Sequence, residues 1–230
     1  MNIHRKNGFM VSEVNSPASI GIESDRVDQC IEHYHTGNFG GVFGHPSFGF
    51  RGVDLDFLKM CSSASRVWFW GCSFSNVDGL YELPELAYCG VMEKRPGIDF
   101  SRFKHLHTLV SHWNKKDAGF NQSAIKKFHL WHCNPRSKSF EEIAIPNSVE
   151  HLQLTWINPS TLEGLPVMES LTELQIHRGR NLSDIDRLHV IAPRLRKLII
   201  TTCGRLKGYE GLLSHPSLEL AIIDGHRIKG

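Results

Sequence analysis

One frame recurs along the chain, and it restricts the possible folds more than any other feature. Leu195-Arg196-Lys197-Leu198-Ile199-Ile200-Thr201-Thr202-Cys203 reads L-x-x-L-x-I-x-x-C, and the same spacing starts at Leu171, Val149 and Ile125. Looser copies start at Leu106, Leu83 and Ala64, and a last one at Leu218. Successive first positions lie 19, 23, 19, 24, 22, 24 and 23 residues apart. A self-similar period of this size marks a repeat architecture. The fourth and sixth positions of each copy are apolar and their neighbours mostly are not, which is the alternation of a strand. A strand this short cannot bury its apolar face alone, whereas parallel stacking of successive units buries a shared core. After the strands come further apolar anchors, such as Leu162 and Leu165, then Leu182, Ile185 and Leu188, then Leu206 and Leu212. Pro84, Pro146, Pro166, Pro193 and Pro216 fall in these return segments, where no strand ladder needs their missing N–H.

Frame and period together resemble the leucine-rich repeat family, over residues 64–230, closely in the last five units and more loosely in the first three. Ser111 at an apolar position, and Ala64 and Ala221 in place of leucine, depart from the pattern. The resemblance implies an α/β solenoid, a horseshoe with a parallel β-sheet on its concave face and irregular or short helical returns on its convex side. It also implies an inward Asn or Cys at the ninth position, bonded to turn backbone; Cys72, Asn114, Cys133 and Cys203 stand there. Residues 1–63 lack the clear frame and read as an atypical N-terminal cap, as terminal repeats usually are. Ser24 followed by Asp25 to Tyr34 predicts a capped amphipathic helix with Val27, Ile31 and Tyr34 on one face. Phe39 to Gly44 predicts a degenerate first strand, because Val42 precedes Val67 by 25 residues. No linker divides the chain, so residues 1–230 are expected to form a single domain with about eight repeats of 19–24 residues in 64–230.

By the same resemblance, the fifth, seventh and eighth positions face the concave surface. These columns hold 24 of 230 positions yet contain all five tryptophans: Trp68, Trp70, Trp113, Trp131 and Trp156. Tryptophan took no part in setting the frame, so chance is a poor explanation. His112, His129, His132, His177 and Arg178 stand in the same columns. Clustered exposed aromatics mark interaction sites, and Trp and Arg dominate interface hot spots. These side chains are therefore expected to bind a protein partner. Cys89 falls at a seventh position and is expected to face solvent.

Other classes of function find little support. Lys plus Arg is 26 and Asp plus Glu is 24, a net charge of +2, which exerts no strong pull on nucleic acid or an anionic membrane. No apolar run approaches the ~18 residues of a membrane span. The six cysteines form no C-x-x-C pair and the first eight residues lack the apolar stretch of an export signal, so a reduced, cytoplasmic protein is expected. Gly37-Asn38-Phe39-Gly40-Gly41 lacks the Gly-Lys-Ser/Thr of a P-loop, and neither a G-x-S-x-G elbow nor H-E-x-x-H occurs. His112, His129 and His132 fall on adjacent strands without a convergent carboxylate, so no metal or cofactor is expected. The basic run from Arg178 and Arg180 through Arg187, Arg194, Arg196, Lys197 and Arg205 to Lys207 is a solvated face or a surface for an acidic partner. The expectation is a non-catalytic protein–protein interaction module. The resemblance to small stand-alone bacterial repeat proteins suggests an inhibitor or a toxin-neutralising immunity protein. A substrate-recognition or scaffold subunit is the alternative, and a metal- or ligand-binding enzyme using the His/Trp cluster stands behind both.

Overall fold

The computed structural model describes residues 3–92 and 94–229. Among them, thirteen strands form one open sheet whose spatial order is the order of the chain. They are β1 (Ile3–Lys6), β2 (Phe9–Ser12), β3 (Ala18–Gly21), β4 (Phe39–Gly44), β5 (Arg66–Phe69), β6 (Tyr88–Val91) and β7 (Thr108–His112). Then follow β8 (Lys127–Trp131), β9 (His151–Thr155), β10 (Glu173–His177), β11 (Lys197–Thr201), β12 (Leu220–Ile223) and β13 (His226–Lys229). From β3 to β12 every neighbouring pair is parallel. At the two ends, β1–β2–β3 and β12–β13 pair antiparallel.

Register follows from the apolar alternation. Val67, Cys89, Leu109, Phe128, Leu152, Leu174, Leu198 and Ala221 lie side by side across eight strands, and all are buried. Phe69, Val91, Leu130, Leu154, Ile176, Ile200 and Ile223 form a second buried row two residues on. Each fully buried side chain of this kind contributes roughly 1.5–3 kcal/mol relative to exposure. The return segments close over this side. Most hold a short 3-10 turn, as at Asp56–Cys61, Asp78–Glu82, Phe100–Arg102, Phe120–Gln122 and Phe140–Glu142. Phe100, Phe120 and Phe140 begin three of these turns and are buried, with Phe100 stacked on Phe120 at 4.8 Å. The other side of the sheet is open.

Val42 pairs with Val67, so β4 is the degenerate first strand that the spacing implied. The helix predicted after Ser24 is α1 (Val27–Thr36), which buries Cys30, Ile31 and Tyr34. Ser24 does not cap it: the N-cap is Arg26 with no side-chain bond, and Ser24 Oγ accepts from the Arg51 amide at 2.7 Å. A second helix, α2 (Leu188–Ile191), lies in the return before β11.

The frame assigned to the unit at Leu83 is displaced. Cys89 pairs with Val67 and Leu109, so the unit begins at Leu86 and Cys89 faces the core. It is 0% exposed, and burial pushes its thiol up to about 12. Ser111, the polar residue in an apolar row, also has its explanation here. Its hydroxyl accepts from Arg95 Nη2 at 2.9 Å, and that guanidinium makes two further bonds to Asp117 at 2.6 and 2.7 Å. The Arg95–Asp117 pair is buried, with side-chain exposures of 0% and 4%. At the ninth positions, the Gly179 amide donates to Cys203 Sγ, Cys72 Sγ donates to the Trp70 carbonyl, and Asn114 Nδ2 donates to the Arg95 carbonyl. No helix among the described residues is long and apolar enough to cross a membrane.

Candidate functional site

The open face carries three rows of side chains, because residues two apart on a strand share a side. The middle row runs Trp68, Gly90, Val110, His129, Gln153, Gln175 and Ile199 across β5 to β11. The next row, just beyond, includes Trp70, Met92, His112, Trp131, Thr155, His177 and Thr201. Its character changes along the sheet, from mostly aromatic over β5–β8 to the hydroxyls of Thr155 and Thr201 flanking His177 over β9–β11.

The aromatic end forms a groove of about 850 Å³. Trp68, Trp70, His112, His129 and Trp131 line it, together with Ile3, His45, Phe48, Tyr88 and Met92. Trp68 is fixed by stacking on Phe43 at 4.4 Å with 10° between the planes. Gly90 lies beside the two indoles, and its lack of a side chain is required: a Cβ there would come within 2.8 Å of Trp68 Cβ and 3.1 Å of Trp70 Cζ2. Burial pushes the His129 imidazole below its ordinary value, and the nearby His151 and Lys127 act in the same direction. The groove therefore favours a neutral His129.

A second hollow, of about 1010 Å³, lies past the C-terminal ends of the strands. Trp113, His132, Trp156 and Arg178 line it with Asn134, Asn158, Arg180, Asn181 and Thr202. The two hollows meet through a run of rings. His112 lies 4.7 Å from His132, and His132 meets Trp156 edge-on at 4.2 Å. Trp131 stands 6.4 Å from Trp156, and the Arg178 guanidinium lies 5.1 Å over the Trp156 ring. Trp156 is 40% exposed, while Trp113 is partly buried against the core.

Backbone geometry sets this row apart. His132, Trp156, Arg178 and Thr202 end four successive units in the left-handed region, with φ of 53°, 57°, 58° and 58°. The turn orients their amides toward the next unit: His132 N donates to the Thr155 carbonyl, Trp156 N to His177 and Arg178 N to Thr201, at 2.8–2.9 Å. Gly71 makes the corresponding turn after β5 with φ of 67°.

His177 lies in neither lining set. Its Nε2 donates to Gln175 Oε1 at 3.1 Å and its Nδ1 meets Thr201 Oγ1 at 2.7 Å, so both ring nitrogens are held by neighbours on the face. Six groove residues escape the columns read from the sequence. Met92 is missed because the unit's frame is displaced, Tyr88 because it stands at the third position, outside the columns read, and Ile3, His45, Ser47 and Phe48 because they precede the frame altogether. Asn134, Asn158 and Asn181 escape too, although asparagine recurs just past the ninth position in three successive units. Among the described residues, no three His, Cys, Asp or Glu side chains converge as a metal site. No protein-family model matches the chain, and no curated protein matches it.

Proposed function

We propose that the chain is a leucine-rich-repeat solenoid acting as a non-catalytic module, which binds a protein partner on the concave, aromatic face of its sheet. The groove over β5–β8 carries this reading: indole, phenyl and imidazole rings, half-buried and fixed by packing, surround an uncovered apolar floor. Rigid aromatic anchors of this kind supply most of the binding energy at protein interfaces. Two further observations support the solenoid. The returns that carry the core, apart from the start of the one after β4, cover one side of a sheet whose strand order never leaves chain order. Ile3 of β1 and Trp131 of β8 also line one groove. Laid flat at ~4.8 Å per strand, those two strands would stand about 34 Å apart. Their meeting supports a face that bends inward.

The test is capture of a partner from native lysate by the wild-type chain and by a Trp70→Ala/Trp131→Ala variant, with the melting temperature of each recorded. The expected result is one protein retained by wild type and lost by a variant that melts within a few degrees of it. Undiminished capture by the folded variant rejects the aromatic groove as the site. Should the double variant not fold, Trp70→Ala and Val110→Arg, made singly, put the same question.

A further inference from the structure

The hollow past the strand ends differs chemically from the groove. At the opposite, N-terminal ends of the strands, basic side chains have acidic partners: Lys126 meets Glu150 at 3.1 Å, Lys197 meets Glu173 at 2.9 Å and Arg196 meets Glu219 at 2.8 Å. Arg178 and Arg180 do not. Both are exposed on the hollow, and among the described residues neither meets a carboxylate. The amide of Asn134 also lacks a side-chain partner there, and Asn158 Nδ2 is free to donate. Trp156 supplies an exposed apolar plate beside these donors. Trp156 and Arg178 are presented on left-handed backbone, which costs an L-residue roughly 1 kcal/mol or more.

Resting on the protein-binding reading above, we propose that this hollow receives an acidic segment of the partner: an Asp or Glu carboxylate between Arg178 and Arg180, followed by an apolar side chain against Trp156. A guanidinium matches a carboxylate with two parallel hydrogen bonds, and two such groups with no carboxylate of their own leave a positive site to be neutralised. Asparagine amides both donate and accept, as the backbone of an extended segment requires. A nucleic-acid strand would instead need cations tracking successive phosphates, and this hollow offers two arginines among amides.

The experiment selects displayed random linear peptides on the wild-type chain, on Arg178→Gln/Arg180→Gln and on Trp70→Ala/Trp131→Ala. Both arginines are exposed, so the glutamine variant keeps its fold, which the melting temperature checks. The expected wild-type set is enriched in Asp or Glu next to aromatic or aliphatic residues. Its best synthetic member should lose affinity by about tenfold or more on the glutamine variant, and similarly when its own acidic residue becomes the amide. The proposal is overturned by an empty selection, by peptides without acidic bias, or by acidic peptides that the glutamine variant binds equally well. It is also overturned by a labelled single-stranded oligonucleotide that binds as tightly through the same arginines. Neutral peptides lost on the Trp70→Ala/Trp131→Ala variant would remove this inference and leave the wider reading standing. An empty selection together with failed partner capture would remove both.

Discussion

Thr202 is the least comfortable of the four residues held at positive φ, because a β-branched side chain fits the left-handed region poorly. Its side chain is exposed, and the bond it anchors comes from its backbone: its amide donates to Asp224 Oδ1 at 2.5 Å. Thr202→Gly should therefore raise stability by ~0.5–1 kcal/mol, the relief of the strained turn less the entropy of a freer unfolded chain. Urea unfolding measures it, and an unchanged or lowered midpoint would show that Thr202 is not strained. The tryptophan positions were legible in the sequence because a bulky aromatic ring fits the open face and the frame counts residues along it. Tyr88 and Met92 were not. Leu83 and Leu86 supply an L-x-x-L spacing that the true unit from Leu86 lacks, with Cys89 at its fourth position and a glycine between the inward Cys89 and Val91, which hides Met92; Tyr88 stands at the third position, outside the columns read. No sequence pattern in the frame could indicate Ser111 either, since its place depends on Arg95 reaching in from the preceding return.

The strands of the parallel stretch are copies of one element, so their existence followed from the period; the end elements are different and needed another signal. Both antiparallel ends turn on dipeptides that favour a two-residue hairpin. Asn7-Gly8 joins β1 to β2 with φ of 49° and 83°, and Asp224-Gly225 joins β12 to β13 with φ of 47° and 84°. The period search passes over such turns because they occur once each. These hairpins also place His4, Arg5 and Lys6 on one edge of the sheet and His226, Arg227 and Lys229 on the other. Charged edge strands discourage a second chain from extending the ladder. Between the ends, the return after β6 is held by the Arg95–Asp117 pair rather than by apolar anchors alone. Asp117→Ala would leave a buried guanidinium without its counter-charge, at a cost of about 3–5 kcal/mol. That loss should appear as a large drop in the urea midpoint; a shift under ~1 kcal/mol would mean water reaches Arg95 and solvates it.

Across the whole molecule, pH acts through two sets of groups. Burial holds the imidazoles of His129, His177 and His215 below their ordinary value of 6.5, so the fold prefers them neutral. His215 shows why: its Nε2 donates to the Ala192 carbonyl while its Nδ1 accepts from the Ser217 amide, and a second proton would break the latter bond. The stability these groups lend is complete above about pH 6.5 and is lost as pH falls below it. Carboxylates act lower down. Burial alone would raise Glu23, yet hydrogen bonds from Arg5 and Arg26 hold it below 4.5; bonds from Lys197 and Gln175 do the same for Glu173. Their contribution is present above pH 4.5 and disappears as pH falls through the acid range. Urea midpoints should thus decline in two stages, first between pH 7 and 5 and again below 4.5, and a flat profile down to pH 5 would contradict the first. Strand order that never departs from chain order has, finally, a genetic consequence. Recombination that inserts or deletes one strand with its return, 19–24 residues, moves everything beyond it by one strand spacing and keeps every side chain on its own face. A slip of a single residue would turn a strand inside out. The length of the open face can therefore evolve separately from the residues that line it.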